Sequence, residues 1–150
     1  MEVTMQASAY QHILWATDLG ERSDLIAARA VDIAQRYGAR LSVLHVVAYL
    51  PPFELGGELA LPAYPEIEAQ LVEQATARLN KLAKKFNVET KQESVVVGSA
   101  RYEIVRAARE RNVDLIVVGR HSRHGLGLLL GSVANGVLQS AVCDVLAVTV

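Results

Sequence analysis

Short apolar runs alternate along this chain with segments whose apolar residues recur at helical spacing. His12–Thr17 is the first run and predicts a strand. Asp18-Leu-Gly-Glu-Arg-Ser23 is turn chemistry, with Ser23 placed to cap a helix. From Asp24 to Tyr37, Leu25, Ile26, Ala30, Ile33 and Ala34 recur at helical spacing, and Gly38 ends the pattern. Arg40–Val47 predicts a second strand. Tyr49–Pro65 holds all four prolines plus Gly56 and Gly57, and predicts a long, irregular, mobile loop. Glu66–Phe86 predicts a long amphipathic helix with Ile67, Leu71, Ala75, Leu79 and Leu82 on one stripe. Thr90–Val97 is the third predicted strand, and a helix over 101–111 turns Ile104, Val105 and Ala108 inward. Val113–Val118 is the fourth strand, Ser132–Ser140 a short helix and Val142–Val150 the fifth strand.

The strands are rich in Val, Ile, Leu and Ala and lack clean polar alternation. That is the pattern of strands covered on both faces. With helices between them, it predicts an α/β fold: a three-layer, doubly wound, Rossmann-like parallel sheet of five strands. At 150 residues the chain reads as a single domain, 1–150, with enough length for a full core.

Charge narrows the function classes. Fifteen basic and 16 acidic side chains leave a formal net charge of -1, which gives no support for bulk nucleic-acid or membrane-surface binding. No run is long and apolar enough to span a bilayer, and Met1–Tyr10 lacks the n-region and h-region of a secretory signal. The expectation is a cytoplasmic protein. Cys143 is alone, so no internal disulfide forms, and its apolar surroundings favour a buried, inert thiol over a nucleophile.

The candidate chemistry lies in the last third. Val113-Asp-Leu-Ile-Val-Val-Gly119 runs into a basic, glycine-containing loop, and Gly131-Ser132-Val133 opens a helix. Free backbone N–H groups and the positive end of a helix dipole suit an anion such as a phosphate there. Arg120 and Arg123 add charge. The Ser132 hydroxyl either bonds a phosphate oxygen or caps the helix. Asp18, after the first strand, either accepts from a ribose hydroxyl or helps to hold a metal, or else bonds backbone N–H groups of its own turn. His121 and His124 lie three apart, but no further ligands are evident, so they read as surface histidines. There is no Gly-x-Ser-x-Gly elbow, no His-Glu-x-x-His, no Walker A lysine and no dinucleotide Gly-x-Gly-x-x-Gly.

Several segments in order resemble the universal stress protein family over nearly the whole length. They are Ile13-Leu-Trp-Ala-Thr-Asp18, Leu44-His45-Val46, Val97-Gly98 with Glu103-Ile104-Val105, Asp114-Leu-Ile-Val-Val-Gly119, Gly131-Ser132-Val133 and Val145-Leu-Ala-Val148. The resemblance implies strand order 3-2-1-4-5 and a homodimer. It also implies ATP binding, with Mg²⁺, in the branch that carries Gly-x2-Gly-x9-Gly-Ser/Thr. By resemblance Asp18 and the backbone of Val46 contact the ribose and adenine side, with Thr17 beside them. Gly119, Gly131, Ser132 and Val133 line the phosphates, with Arg120, Ser122 and Arg123 in the connecting loop. This chain reads Gly119-x2-Ser122-x8-Gly131-Ser132, so a serine replaces the second glycine and the spacer is one residue shorter.

The expected function is a cytoplasmic, homodimeric, ATP-responsive binding or signalling module. It would dimerise through the apolar C-terminal strand, with Val145, Ala147 and Thr149 or their alternates at the joint, and act on an unknown protein partner. Two alternatives stand beside it: a family member that does not bind nucleotide and acts through protein contacts, and a slow nucleotide hydrolase. The Tyr49–Pro65 loop, with Leu50, Phe53, Leu55 and Leu59, is either a lid or partner contact near the crevice, or core packing.

Overall fold

The computed structural model describes residues 9–48, 65–89, 92–120 and 131–150. In chain order its elements are β1 (His12–Ala16), α1 (Ser23–Tyr37), β2 (Arg40–Val47), α2 (Pro65–Lys85), β3 (Glu93–Val97), α3 (Ala100–Glu110), β4 (Leu115–Arg120), α4 (Ser132–Ser140) and β5 (Asp144–Thr149). The strands form one sheet in the order β3-β2-β1-β4-β5, and every neighbouring pair is parallel. The α/β fold, its doubly wound topology and the strand order agree with the sequence reading. The proline-rich loop lies outside the described residues except for Pro65, which is the first residue of α2. That position tolerates proline, because its missing N–H would have no helical partner.

Side-chain alternation along β1 builds a core on each face of the sheet. Ile13 and Trp15 pack with Ile26, Ala27 and Ala30 of α1 and with Leu79 and Ala83 of α2. Leu14 and Ala16 pack on the opposite face with Ile104, Ala107 and Ala108 of α3 and with Ala134 and Val137 of α4. All five residues of β1 are buried. This is why its sequence reads as a continuous apolar run.

Three expectations about the helices and one about β4 need correction. Leu25 is exposed, and the buried stripe of α1 runs through Ser23, Ile26, Ala27, Ala30 and Ala34. Ile67 and Leu71 are also exposed, since α2 sinks into the core only from Ala75 onward. Ser23 is the first residue of α1 and not its cap; Arg22 holds the cap position and makes no side-chain capping bond. Gly119 and Arg120 belong to β4, paired with Val148 and Thr149, and not to the loop that follows. The stop at Gly38 is as expected. Its φ of +62° is left-handed, and Ala39 N–H returns to Ala34 O at 2.8 Å.

The amino end of the sheet is polar and tightly bonded. The buried His12 ring lies with Nδ1 2.8 Å from Arg40 Nη2 and 3.0 Å from Arg111 O. Its Nε2 is 2.7 Å from Ser42 Oγ, which donates to Gln92 Oε1 at 3.0 Å. Arg40 Nη2 can only donate to Nδ1 and Arg111 O can only accept from it, so the two contacts ask for opposite tautomers of the ring and compete for the same nitrogen. Burial pushes the Cys143 thiol above its usual range, and the Asp144 carboxylate acts in the same direction.

Candidate nucleotide crevice

The order of the strands places a reversal of winding between β1 and β4, since the chain runs outward from β1 through β2 to β3 and then returns to the other side of β1. Ligands of open α/β sheets sit outside the carboxyl ends of the strands at such a point. Here the carboxyl ends of β1, β2 and β4 and the start of α4 enclose a crevice of about 1100 Å³. Of the residues singled out from the sequence, Thr17, Asp18, Val46, Gly119, Gly131, Ser132 and Val133 all line it. Arg120 continues β4 opposite Thr149 and is not among the lining residues. Ser122 and Arg123, with His121 and His124, lie outside the described residues.

The turn after β1 is held by its own polar groups. Thr17 is buried, and its hydroxyl donates to Ser23 Oγ at 3.1 Å while accepting from Leu19 N–H at 3.1 Å. Thr17 N–H donates to Leu44 O at 2.9 Å. The hydroxyl is thus engaged within the protein, which makes Thr17 a brace for the turn. Asp18 is exposed, and its Oδ1 accepts from Gly20 N–H at 2.8 Å. A Cβ on Gly20 would fall 2.9 Å from that oxygen, so glycine leaves room for the carboxylate to close its turn. The turn role weighed for Asp18 is therefore present. A carboxylate has about four lone-pair sites, so this bond leaves acceptor capacity. Leu19 takes a φ of +58°, uncommon for leucine, and its buried side chain and the bond from Arg78 to its carbonyl hold it there.

Across the crevice, α4 begins at Ser132 with Gly131 as its cap residue. The cap makes no side-chain bond, and Gly131 O accepts the first helical bond, from Asn135 N–H at 2.9 Å. Ser132 is the first helical residue, so the cap role weighed for its hydroxyl is not the one seen. By helix geometry the N–H groups of Ser132, Val133 and Ala134 have no acceptor within α4. These three residues line the crevice together with Gly119 at the end of β4.

Neighbouring strands stand about 4.8 Å apart, so β2 and β4 are about 10 Å apart with β1 between them. The lining therefore changes character in order. On the β2 side it offers Val46 and Val47, in the middle the Asp18 carboxylate, and on the β4–α4 side glycine backbone and a helix N-terminus. A flat apolar group, a hydroxylated linker and an anion would meet matching surfaces in that order. Sequence reasoning does not single out His45, although Leu44-His45-Val46 is part of the family resemblance. Its ring lines the crevice, with Nδ1 2.8 Å from Thr17 O. Among the described residues no cluster of three His, Cys, Asp or Glu side chains is placed to hold a metal, and no helix is long and apolar enough to cross a membrane.

Fold and crevice together define a parallel α/β protein with an open crevice at the reversal of its sheet. The sequence pattern of the universal stress protein family matches residues 9–149, and the chain belongs to that family. It is 39% identical over 139 residues to universal stress protein A homolog 1 of Coxiella burnetii, covering 93% of this chain and 96% of that one. Among solved structures, hypothetical protein MJ0577 superposes with a TM-score of 0.75 at 26% identity, covering 95% of this chain and 98% of that one. A universal stress protein in complex with cAMP superposes with a TM-score of 0.60 at 30% identity, covering 94% and 98%.

Proposed function

We propose that this protein is a nucleotide-responsive binding module whose ligand is ATP, taken up with Mg²⁺, and that it works as a cytoplasmic homodimer of single-domain chains. The observation that carries this reading is the order of surfaces across the crevice: Val46, then Asp18, then Gly119 with the N-terminus of α4. Base, ribose and phosphates follow one another in a nucleotide in the same sequence. The helix dipole and the N–H groups at 132–134 favour the anionic end. A related protein of the family in complex with cAMP supports an adenine nucleotide as the ligand class.

The described lining carries no group arranged as a general base beside the phosphate end, which favours binding over turnover. Titration of nucleotide-free protein with ATP, with and without Mg²⁺, tests the proposal. Saturable binding with one site per chain supports it. Absence of heat at millimolar ATP refutes it and favours the second reading, a family member acting through protein contacts. The observation behind that second reading is Ser122, which stands where the binding branch has glycine, in a spacer one residue shorter. Rapid phosphate release would instead point to a nucleotide hydrolase.

A further inference from the structure

We infer that His45 is a positioning residue of the crevice: its imidazole removes the Thr17 carbonyl from the β1–β2 ladder and so leaves the Val46 backbone turned toward the ligand. The inference deepens the nucleotide reading and rests on it for the ligand's identity.

In a parallel ladder, alternate residues of a strand bond to opposite neighbours. Leu44 O accepts from Thr17 N–H, so Leu44 faces β1. Val47 O accepts from Gly98 N–H at 3.0 Å, so Val47 and His45 face β3 with their backbone groups. Val46 then faces β1 again. The next rung of a regular ladder would join Val46 N–H to Thr17 O. Among the described residues that rung is not made. Thr17 O instead accepts from His45 Nδ1 at 2.8 Å. A carbonyl oxygen cannot donate, so Nδ1 carries the proton in this bond.

The consequence is chemical. Thr17 keeps its carbonyl satisfied although the strand has ended, and the Val46 N–H and C=O remain on the crevice side of β2. They offer a donor beside an acceptor. The base edge that complements them carries a ring-nitrogen acceptor beside an amino donor, as adenine does. Guanine presents an N–H and a carbonyl there, the reverse pattern. His45 therefore sets base preference without touching the base. A purely structural stitch between strands would lower stability and weaken all ligands alike.

The test compares His45→Leu, which removes the donor but keeps an apolar body, with His45→Asn, whose amide nitrogen can stand where Nδ1 does. Calorimetry with ATP, GTP and inorganic tripolyphosphate reads ligand preference, and amide hydrogen exchange without ligand reads Val46. In wild type the Val46 amide exchanges faster than that of Leu44. In His45→Leu it becomes protected as the rung to Thr17 forms. ATP binding weakens by about tenfold in His45→Leu, on the scale of one hydrogen bond. The preference for ATP over GTP shrinks by a similar factor, and tripolyphosphate binding is unchanged. His45→Asn restores the wild-type preference. Equal exchange protection of Val46 and Leu44 in wild type overturns the inference, even if His45→Leu does not fold. So does an ATP-to-GTP preference that His45→Leu leaves intact. If wild type binds neither ATP nor tripolyphosphate, the nucleotide reading fails instead, and the exchange measurement still decides whether His45 holds the rung open.

Discussion

Asp114 and His12 bond each other in both directions across the amino ends of β4 and β1. Asp114 N–H donates to His12 O at 3.0 Å, and Asp114 Oδ1 accepts from His12 N–H at 3.2 Å. The other carboxylate oxygen accepts from Gln11 N–H at 2.9 Å. The pair joins the two strands that flank the reversal of winding, at the end opposite the crevice. Charge-assisted bonds to backbone donors are stronger than neutral ones. Asp114→Ala is expected to lower stability by about 2 kcal/mol. Nucleotide affinity at the far end should stay unchanged. Urea unfolding monitored by Trp15 fluorescence checks the first part and calorimetry the second.

Burial pushes the His12 ring below its ordinary pKa of 6.5, and the nearby Arg40 guanidinium acts the same way, against the opposing pull of the Arg111 carbonyl and the Asp114 carboxylate. The unfolded chain therefore binds this proton at a higher pH than the folded one. Above 6.5 neither state holds it, and the stabilising contribution is complete. As pH falls from 6.5 through the lower folded value, that contribution is lost. The expected outcome is a wild-type urea midpoint that declines as pH falls below about 6.5 more steeply than that of His12→Gln, because only wild type carries this titration. Parallel declines in the two proteins would contradict it.

Gly98 closes the end of β3 with a φ of +152°, a conformation that side chains rarely adopt. A Cβ there would also lie 3.0 Å from Glu103 Cγ and 3.1 Å from its Oε1. Gly98→Ala is expected to cost about 1–3 kcal/mol through backbone strain and displacement of Glu103. Serial denaturation curves measure it. An unchanged midpoint would mean that the loop re-forms at no cost.

The proposed nucleotide contacts separate by which end of the ligand each would touch. Ser132→Ala should weaken ATP by about 0.5–1.5 kcal/mol, the net worth of one hydrogen bond. Asp18→Ala should weaken ATP and ADP by equal factors, since its proposed contact is to the ribose. Arg123→Ala should weaken ATP more than AMP, because an arginine acts on phosphate charge. Ser122→Gly should strengthen binding, since it removes a Cβ where the family's binding branch has none. Calorimetry on this series checks all four, and a wild type and Ser122→Gly that both ignore ATP would end the nucleotide proposal.

β5 is an edge strand of the sheet, and its four apolar residues, Val145 to Val148, are only half-buried on either face. An apolar edge of this kind invites pairing with a second copy about a two-fold axis. Sedimentation should find a dimer at micromolar concentration. Ala147→Glu, which places a charge on that edge, should weaken association by about tenfold or more. A wild type that sediments as monomer would remove the dimer proposal.

Much of the architecture could be read without coordinates, because it depends on period and punctuation. The run from His12 to Ala16 has to be covered on both sides, and Gly38 has to end α1, whatever surrounds them. Asp18, Gly119 and Gly131-Ser132 were legible as site candidates because each lies where a strand ends or a helix begins. Their meeting in one crevice also follows once the strand order is known. Local pattern failed where neighbours choose between equivalent positions. Leu25 and Ile26 are both apolar, but only Ile26 faces the sheet. Ile67 and Leu71 share the stripe of Ala75 and Leu79, yet α2 reaches the core only in its later turns.

What the sequence determined by itself is the alternation of elements, the doubly wound class and the chemistry available at each strand end, since these depend on residues close together in the chain. Only the tertiary structure decided which polar groups find each other. Thr17 and His45 are 28 positions apart, and His12 and Asp114 are 102 apart. No periodicity within one segment links them, because strands brought together by long crossovers bond through register, and register is a property of the folded sheet.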